Sequence, residues 1–161
     1  MKYELGCTKN NIKVFDRKNS HFHAEGGLSS ELFRNALQQI EFGPDETFGK
    51  YTVKFDHMIG KTNCVSVNDS DEIVMVKRIG RDGFTPMVKN RTAEDSDSIT
   101  IILFRPDGCD DAILVAAYIG ESTEREPWDK AINSEEELQR CIKYWNSHAL
   151  VYDESLIEKE T

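Results

Sequence analysis

Residues 99–120 read ITIILFRPDGCDDAILVAAYIG, two strongly apolar runs joined by a polar stretch around Asp107 and Gly108. Each run has the length and β-branched content of a strand, and a short connection containing Asp-Gly suits a hairpin. The segment therefore predicts a hairpin at the centre of a sheet.

Upstream of it, TAEDSDS (92–98) is an acidic loop, and FTPMVKNR (84–91) predicts a strand kept to an edge or a bulge by Pro86. The triplet RDG (81–83) marks a turn, and EIVMVKR (72–78) carries an unbroken apolar run, Ile73 to Val76, that predicts a central strand covered on both faces. TNCVSV (62–67) and YTVKFDHMI (51–59) alternate with period two, the pattern of half-buried strands. In the second of these, His57 shares a face with Tyr51, Val53 and Phe55. Before the strands, SSELFRNALQQI (29–40) sets Leu32, Phe33, Ala36, Leu37 and Ile40 at helical spacing behind an N-cap at Ser29 or Ser30. Gly43 permits a left-handed end to that helix, and Pro44 cannot continue it.

Downstream, SEEELQRCIKYW (134–145) has Ser134 and Glu137 at capping-box spacing and places Leu138, Cys141, Ile142 and Trp145 on one helical face. Ala149 to Tyr152 predicts a short edge strand before an acidic end. The expected fold is α+β in one domain, a largely antiparallel five- or six-stranded sheet with an N-terminal and a C-terminal helix packed on it. Residues 1–49 would be its helical N-terminal part, 50–121 the sheet, and 122–161 a loop, the second helix and an acidic tail.

The 161 residues suffice to bury a core without staples, since a chain of about this size hides roughly 70% of its unfolded surface. No apolar run is long enough to span a bilayer, and MKYELGCTKNNIKVF lacks the apolar core of a signal peptide, so a cytoplasmic protein with no membrane role is expected. Cys7, Cys64, Cys109 and Cys141 lie far apart in sequence and match neither a CxxC pair nor a zinc cluster, so they read as reduced thiols. Net charge is -9, unevenly spread: residues 1–49 carry -1, 50–91 carry +3 and 92–161 carry -11. The positive segment culminates in VKRIGRDGFTPMVKNR (76–91), where Lys77, Arg78, Arg81, Lys89 and Arg91 face a single acid, Asp82.

Such a cluster suits a phosphate-bearing polyanion, because arginine offers planar bidentate contacts and stays charged. It is equally suited to neutralisation by the surplus acids of the C-terminal third. His57, with Lys54 and Lys61 close in sequence, is a candidate proton carrier near neutral pH, or a core histidine bonded to the backbone. Thr85, Thr100 and Tyr118 supply hydroxyls in or beside predicted strands. His21 and His23 form an HxH pair without a carboxylate or third histidine at metal spacing, so neither a metal nor another cofactor is expected. Nucleophile-elbow and P-loop patterns are missing, which sets aside acyl transfer and nucleoside-triphosphate chemistry.

His57 in DHMIGK, the strand EIVMVKRIGR followed by Thr85, and the hairpin of residues 99–120 together resemble the barnase, EndoU, colicin and RelE group of small endoribonuclease toxins, over residues 50–121. The resemblance implies metal-independent RNA cleavage. His57 would be the acid or base on the ribose 2'-hydroxyl, and Arg78 and Arg81 would stabilise charge on the phosphate. Thr85 or Tyr118 would hold that phosphate, and Lys54, Lys61, Lys77, Lys89 and Arg91 would bind the RNA around it. The rival expectation is a non-enzymatic module, akin to an inhibitor or immunity protein. It would meet a basic protein partner through the acidic helix SEEELQR and the tail DESLIEKE.

Overall fold

A computed structural model describes residues 3–16 and 29–159. In chain order the elements are β1 (Tyr3–Cys7), β2 (Lys13–Asp16), α1 (Ser30–Leu37), β3 (Phe48–Lys54), β4 (Gly60–Thr62), β5 (Cys64–Ser66) and β6 (Ile73–Lys77). They continue with β7 (Phe84–Val88), β8 (Glu94–Ser96), β9 (Ser98–Phe104), β10 (Ala112–Ile119), α2 (Glu135–Trp145), β11 (His148–Val151) and a 3-10 turn, Glu154–Leu156. The α+β class holds, but the single sheet does not. Among the described residues, eleven strands form three sheets of five, four and two strands, with parallel pairs mixed among antiparallel ones. The chain divides into two compact units, Met1–Thr62 with Asp95–Ser122, and Asn63–Glu94 with Thr123–Thr161. The two helices fall in different units, so they do not share a sheet.

The first unit is built on the five-stranded sheet, in the order β1-β2-β10-β9-β3. Its centre is the predicted hairpin: β9 and β10 pair antiparallel from Phe104↔Ile113 to Ile99↔Ile119, with a bulge between Leu114 and Ala116. Gly108, at φ 76, takes the left-handed conformation in the connection at little steric cost. One face of this sheet, bearing Val14, Val53, Ile99, Ile101, Leu103, Ala112 and Leu114, packs on Phe33, Ala36 and Leu37 of α1 and on Ile40 and Phe42. Ser29 caps α1, its hydroxyl accepting from the Leu32 N–H at 3.1 Å. The helix stops at Leu37 instead of running to a left-handed Gly43, because Gln39 and Ile40 donate to carbonyls three residues back and tighten the last turn. β3 likewise ends at Lys54, before His57. The Phe55 and Ile59 N–H groups turn to the Asp97 and Ser96 carbonyls, and the intervening residues form a bend. β4 and β8 make the two-stranded ribbon.

The second unit holds the sheet β5-β11-β7-β6. The hairpin of β6 and β7 forms as its sequence predicts, pairing Ile73↔Val88 through Lys77↔Phe84. The order across the sheet departs from expectation. β6 is an edge strand with Met75 58% exposed, not a doubly covered one, so its apolar run marks a strand without marking a central one. β7 and β11 are interior. Pro86 is tolerated there because the β7–β11 register covers Met87 and Val88 and stops short of it. TNCVSV contributes to two sheets, split at Asn63, whose carbonyl accepts from Val151 at 2.7 Å. α2 starts at the Ser134 cap, with its hydroxyl accepting from the Glu137 N–H at 3.1 Å, and fully buries Cys141. Val65, Val88 and Ala149 form the small buried core of this unit.

Candidate functional site

The β6–β7 hairpin places Val76 opposite Thr85, and two residues further along Arg78 folds back onto that threonine. Its Nε donates to Thr85 Oγ1 at 3.1 Å and its Nη2 to Glu126 Oε2 at 2.6 Å, while the Thr85 hydroxyl donates to Glu126 Oε1. Thr85 is wholly buried and Glu126 only 7% exposed. A buried carboxylate is tolerated when its charge is paired and its lone pairs are occupied, and this triangle meets both conditions. Two indoles fix the segment that carries Glu126. Trp145 Nε1 donates to the Glu124 and Arg125 carbonyls at 3.0 and 3.1 Å, and Trp128 Nε1 donates to the Phe84 carbonyl at 3.1 Å. A Cβ at Gly83 would run into the Trp128 ring, so the hairpin needs glycine there.

The remaining cations of the hairpin are partnered in most cases. Lys77 reaches Glu158 at 3.3 Å and the Arg81 carbonyl. Lys89 stands 5.0 Å over the Tyr152 ring. Arg91 pairs with Asp71 at 3.1 Å and Glu94 at 3.3 Å. The backbone N–H of Asn68, joined by Arg91, holds the Asp71 carboxyl below the usual carboxylate range. Arg81 is exposed and has no carboxylate partner among the described residues. Glu126 and Glu158 both come from the acidic C-terminal third, which thus supplies much of the counter-charge.

The other predicted site residues lie in the first unit. His57 is exposed in the bend after β3, its Nδ1 2.7 Å from Asp56 Oδ1, and this hydrogen bond lowers the Asp56 pKa. Lys54 lies 3.9 Å from Asp97, and Lys61 2.8 Å from Asp95. Tyr118 is half-buried on β10 opposite Thr100, whose hydroxyl donates to the Gly120 carbonyl at 2.9 Å. Of the residues expected to act together, Arg78 and Thr85 do meet, around Glu126. His57 and Tyr118 belong to the other unit. Glu126 itself was not singled out by sequence, since EREPWD offers several acids and no spacing that selects one. His21 and His23 lie outside the described residues. Among the described residues no group of three or more His, Cys, Asp or Glu side chains is arranged to hold a metal, and no helix is long and apolar enough to cross a membrane.

Neither a protein-family model nor a curated protein matches the sequence. A solved structure of a conserved hypothetical protein from Toxoplasma gondii ME49 is similar at a TM-score of 0.52, over 83% of this chain and 90% of that one, with 11% sequence identity. The likeness is one of fold alone.

Proposed function

We propose that this chain is a non-enzymatic protein-binding module whose surplus carboxylates meet a basic protein partner. The observation that carries the reading is the Arg78–Thr85–Glu126 triangle. Arg78, one of the two arginines expected to bind a phosphate, is already held by the protein's own buried acid. An RNA phosphate would have to displace that carboxylate, and leaving it buried without its partner is costly. Lys77 and Arg91 are similarly engaged, whereas Glu135 and Glu136 at the start of α2, with Asp153 and Glu154, face solvent. Long-range attraction between such a surface and a basic partner raises the association rate and falls with salt.

The ribonuclease reading has less support, because its proton carrier His57 is 66% exposed and bonded to an exposed aspartate instead of seated among cations. The test is RNA cleavage by purified protein with divalent ions chelated, across roughly pH 5 to 8, where imidazole titrates. Wild type and His57→Ala should leave RNA equally intact. Cleavage by wild type that disappears in His57→Ala would overturn the binding-module reading.

A further inference from the structure

The first unit carries an aromatic and aliphatic row on the sheet face that α1 does not cover. Register places Phe48 opposite Phe104, Phe104 opposite Ile113, and Ile113 opposite Phe15, so one cross-strand line runs over β3, β9, β10 and β2. Alternation puts these four on the face away from the core, since their neighbours Gly49, Leu103, Ala112 and Val14 are buried. Phe48 is 51% and Phe104 39% exposed, and Ile113 and Phe15 are half-buried. Large apolar side chains aligned on an open sheet face, unlike scattered ones, mark interaction sites.

The surroundings of the row are acidic. Glu4, exposed, stands opposite Phe15 and ends the line on one side. Asp45 and Glu46 precede Phe48, and Asp107, Asp110 and Asp111 occupy the loop joining Phe104 to Ile113, all of them exposed. Lys13 and Lys50 lie beside the row on β2 and β3. The loop's own cation is turned inward: Arg105 is buried, its Nη1 donates to the Gly43, Pro44 and Glu46 carbonyls at 2.6 to 2.9 Å, and its guanidinium rests 4.4 Å over Phe42.

We infer that this row is the docking face for a basic segment of a partner protein, with apolar side chains seated on Phe48 and Phe104 and flanking lysines or arginines against the acidic loops. The inference rests on the binding-module reading and supplies its anchor. Aromatic anchors give most of the affinity of such an interface, and the charged rim gives partner choice and rate.

The test pans a phage-displayed library of random dodecapeptides on the full chain and measures the enriched peptides by fluorescence anisotropy. Enriched peptides should combine Lys or Arg with aromatic or aliphatic residues. Phe48→Ser/Phe104→Ser, at exposed positions that leave the core untouched, should weaken them by roughly tenfold or more. Asp107→Asn/Asp110→Asn/Asp111→Asn should flatten the salt dependence. No enrichment on wild type, or equal binding to the double-serine variant, overturns the docking face. Self-association of wild type in light scattering that the serine variant abolishes also overturns it, in favour of a second copy as occupant. Basic peptides that ignore the serine changes but are lost in Glu135→Gln/Glu136→Gln would reject this face and leave the binding-module reading standing. RNA cleavage lost in His57→Ala would remove that reading whatever the peptides do.

Discussion

Glu126 draws its neighbours together at the residue scale. It sits in a loop, yet it satisfies the guanidinium of Arg78 and the hydroxyl of Thr85 at once, with almost no solvent to help. Removing one member of such a set leaves the others buried and unpaired, which is worse than having none of them. Glu126→Leu should therefore cost about 3 kcal/mol, at the low end for a broken buried pair because the Arg78 side chain keeps 19% of its exposure. The triple replacement Arg78→Met/Thr85→Val/Glu126→Leu should recover most of that loss. Denaturant midpoints compare the two. A triple variant less stable than Glu126→Leu would mean that the network stabilises the fold beyond its own desolvation cost. Both Arg78 and Thr85 were legible as notable residues from the sequence, but their shared acid was not, because it lies 48 residues from Arg78 and 41 from Thr85.

At the scale of elements, what could be read was what is local. The β9–β10 hairpin, the caps at Ser29 and Ser134 and the β6–β7 hairpin depend on neighbours within a few turns of chain, and the structure has all of them. Position across a sheet depends on pairings such as Leu150↔Cys64 and Leu150↔Met87, which no local pattern encodes. That is why β6 was expected inside and lies at an edge, while β11 was expected at an edge and lies inside. The period of YTVKFDHMI suggested a strand through His57, and hydrogen bonds from Phe55 and Ile59 to the 96–97 segment ended it early. The turn of the β6–β7 hairpin gives a direct check. Gly83→Ala should destabilise by about 1 to 3 kcal/mol, as overpacking does, because the added methyl meets the Trp128 indole. Gly80, also in the turn, has a positive φ and open space around it, so Gly80→Ala carries only the backbone cost of about 1 to 2 kcal/mol. Tryptophan fluorescence should shift for Gly83→Ala and not for Gly80→Ala. The same shift in both would separate Trp128 from the effect.

Across the whole molecule, the two units differ in how much apolar surface they bury. Among the described residues, the core cluster of the first has thirteen buried hydrophobic residues and that of the second has three. Apolar burial is the main favourable term in folding, so resistance to local opening should follow it. Amide exchange should be slowest in β9 and β10 and faster in β6 and β7. Equal protection in the two hairpins would show that the units open together. The charge polarisation read from the sequence survives as a fact of the fold in one respect: the positive middle and the negative end meet at Arg78–Glu126 and Lys77–Glu158.

The order in which these pairs are synthesised has its own consequence. The hairpin bearing Arg78 and Lys77 leaves the ribosome well ahead of its counter-charges, 48 residues before Glu126 and 81 before Glu158. At about 5 to 20 residues per second, the nascent hairpin spends on the order of several seconds as an unshielded cationic loop. Only the segment carrying Glu126 and Glu158 quenches these two cations, so a chain that stops short of it would leave Arg78 and Lys77 without their carboxylate partners.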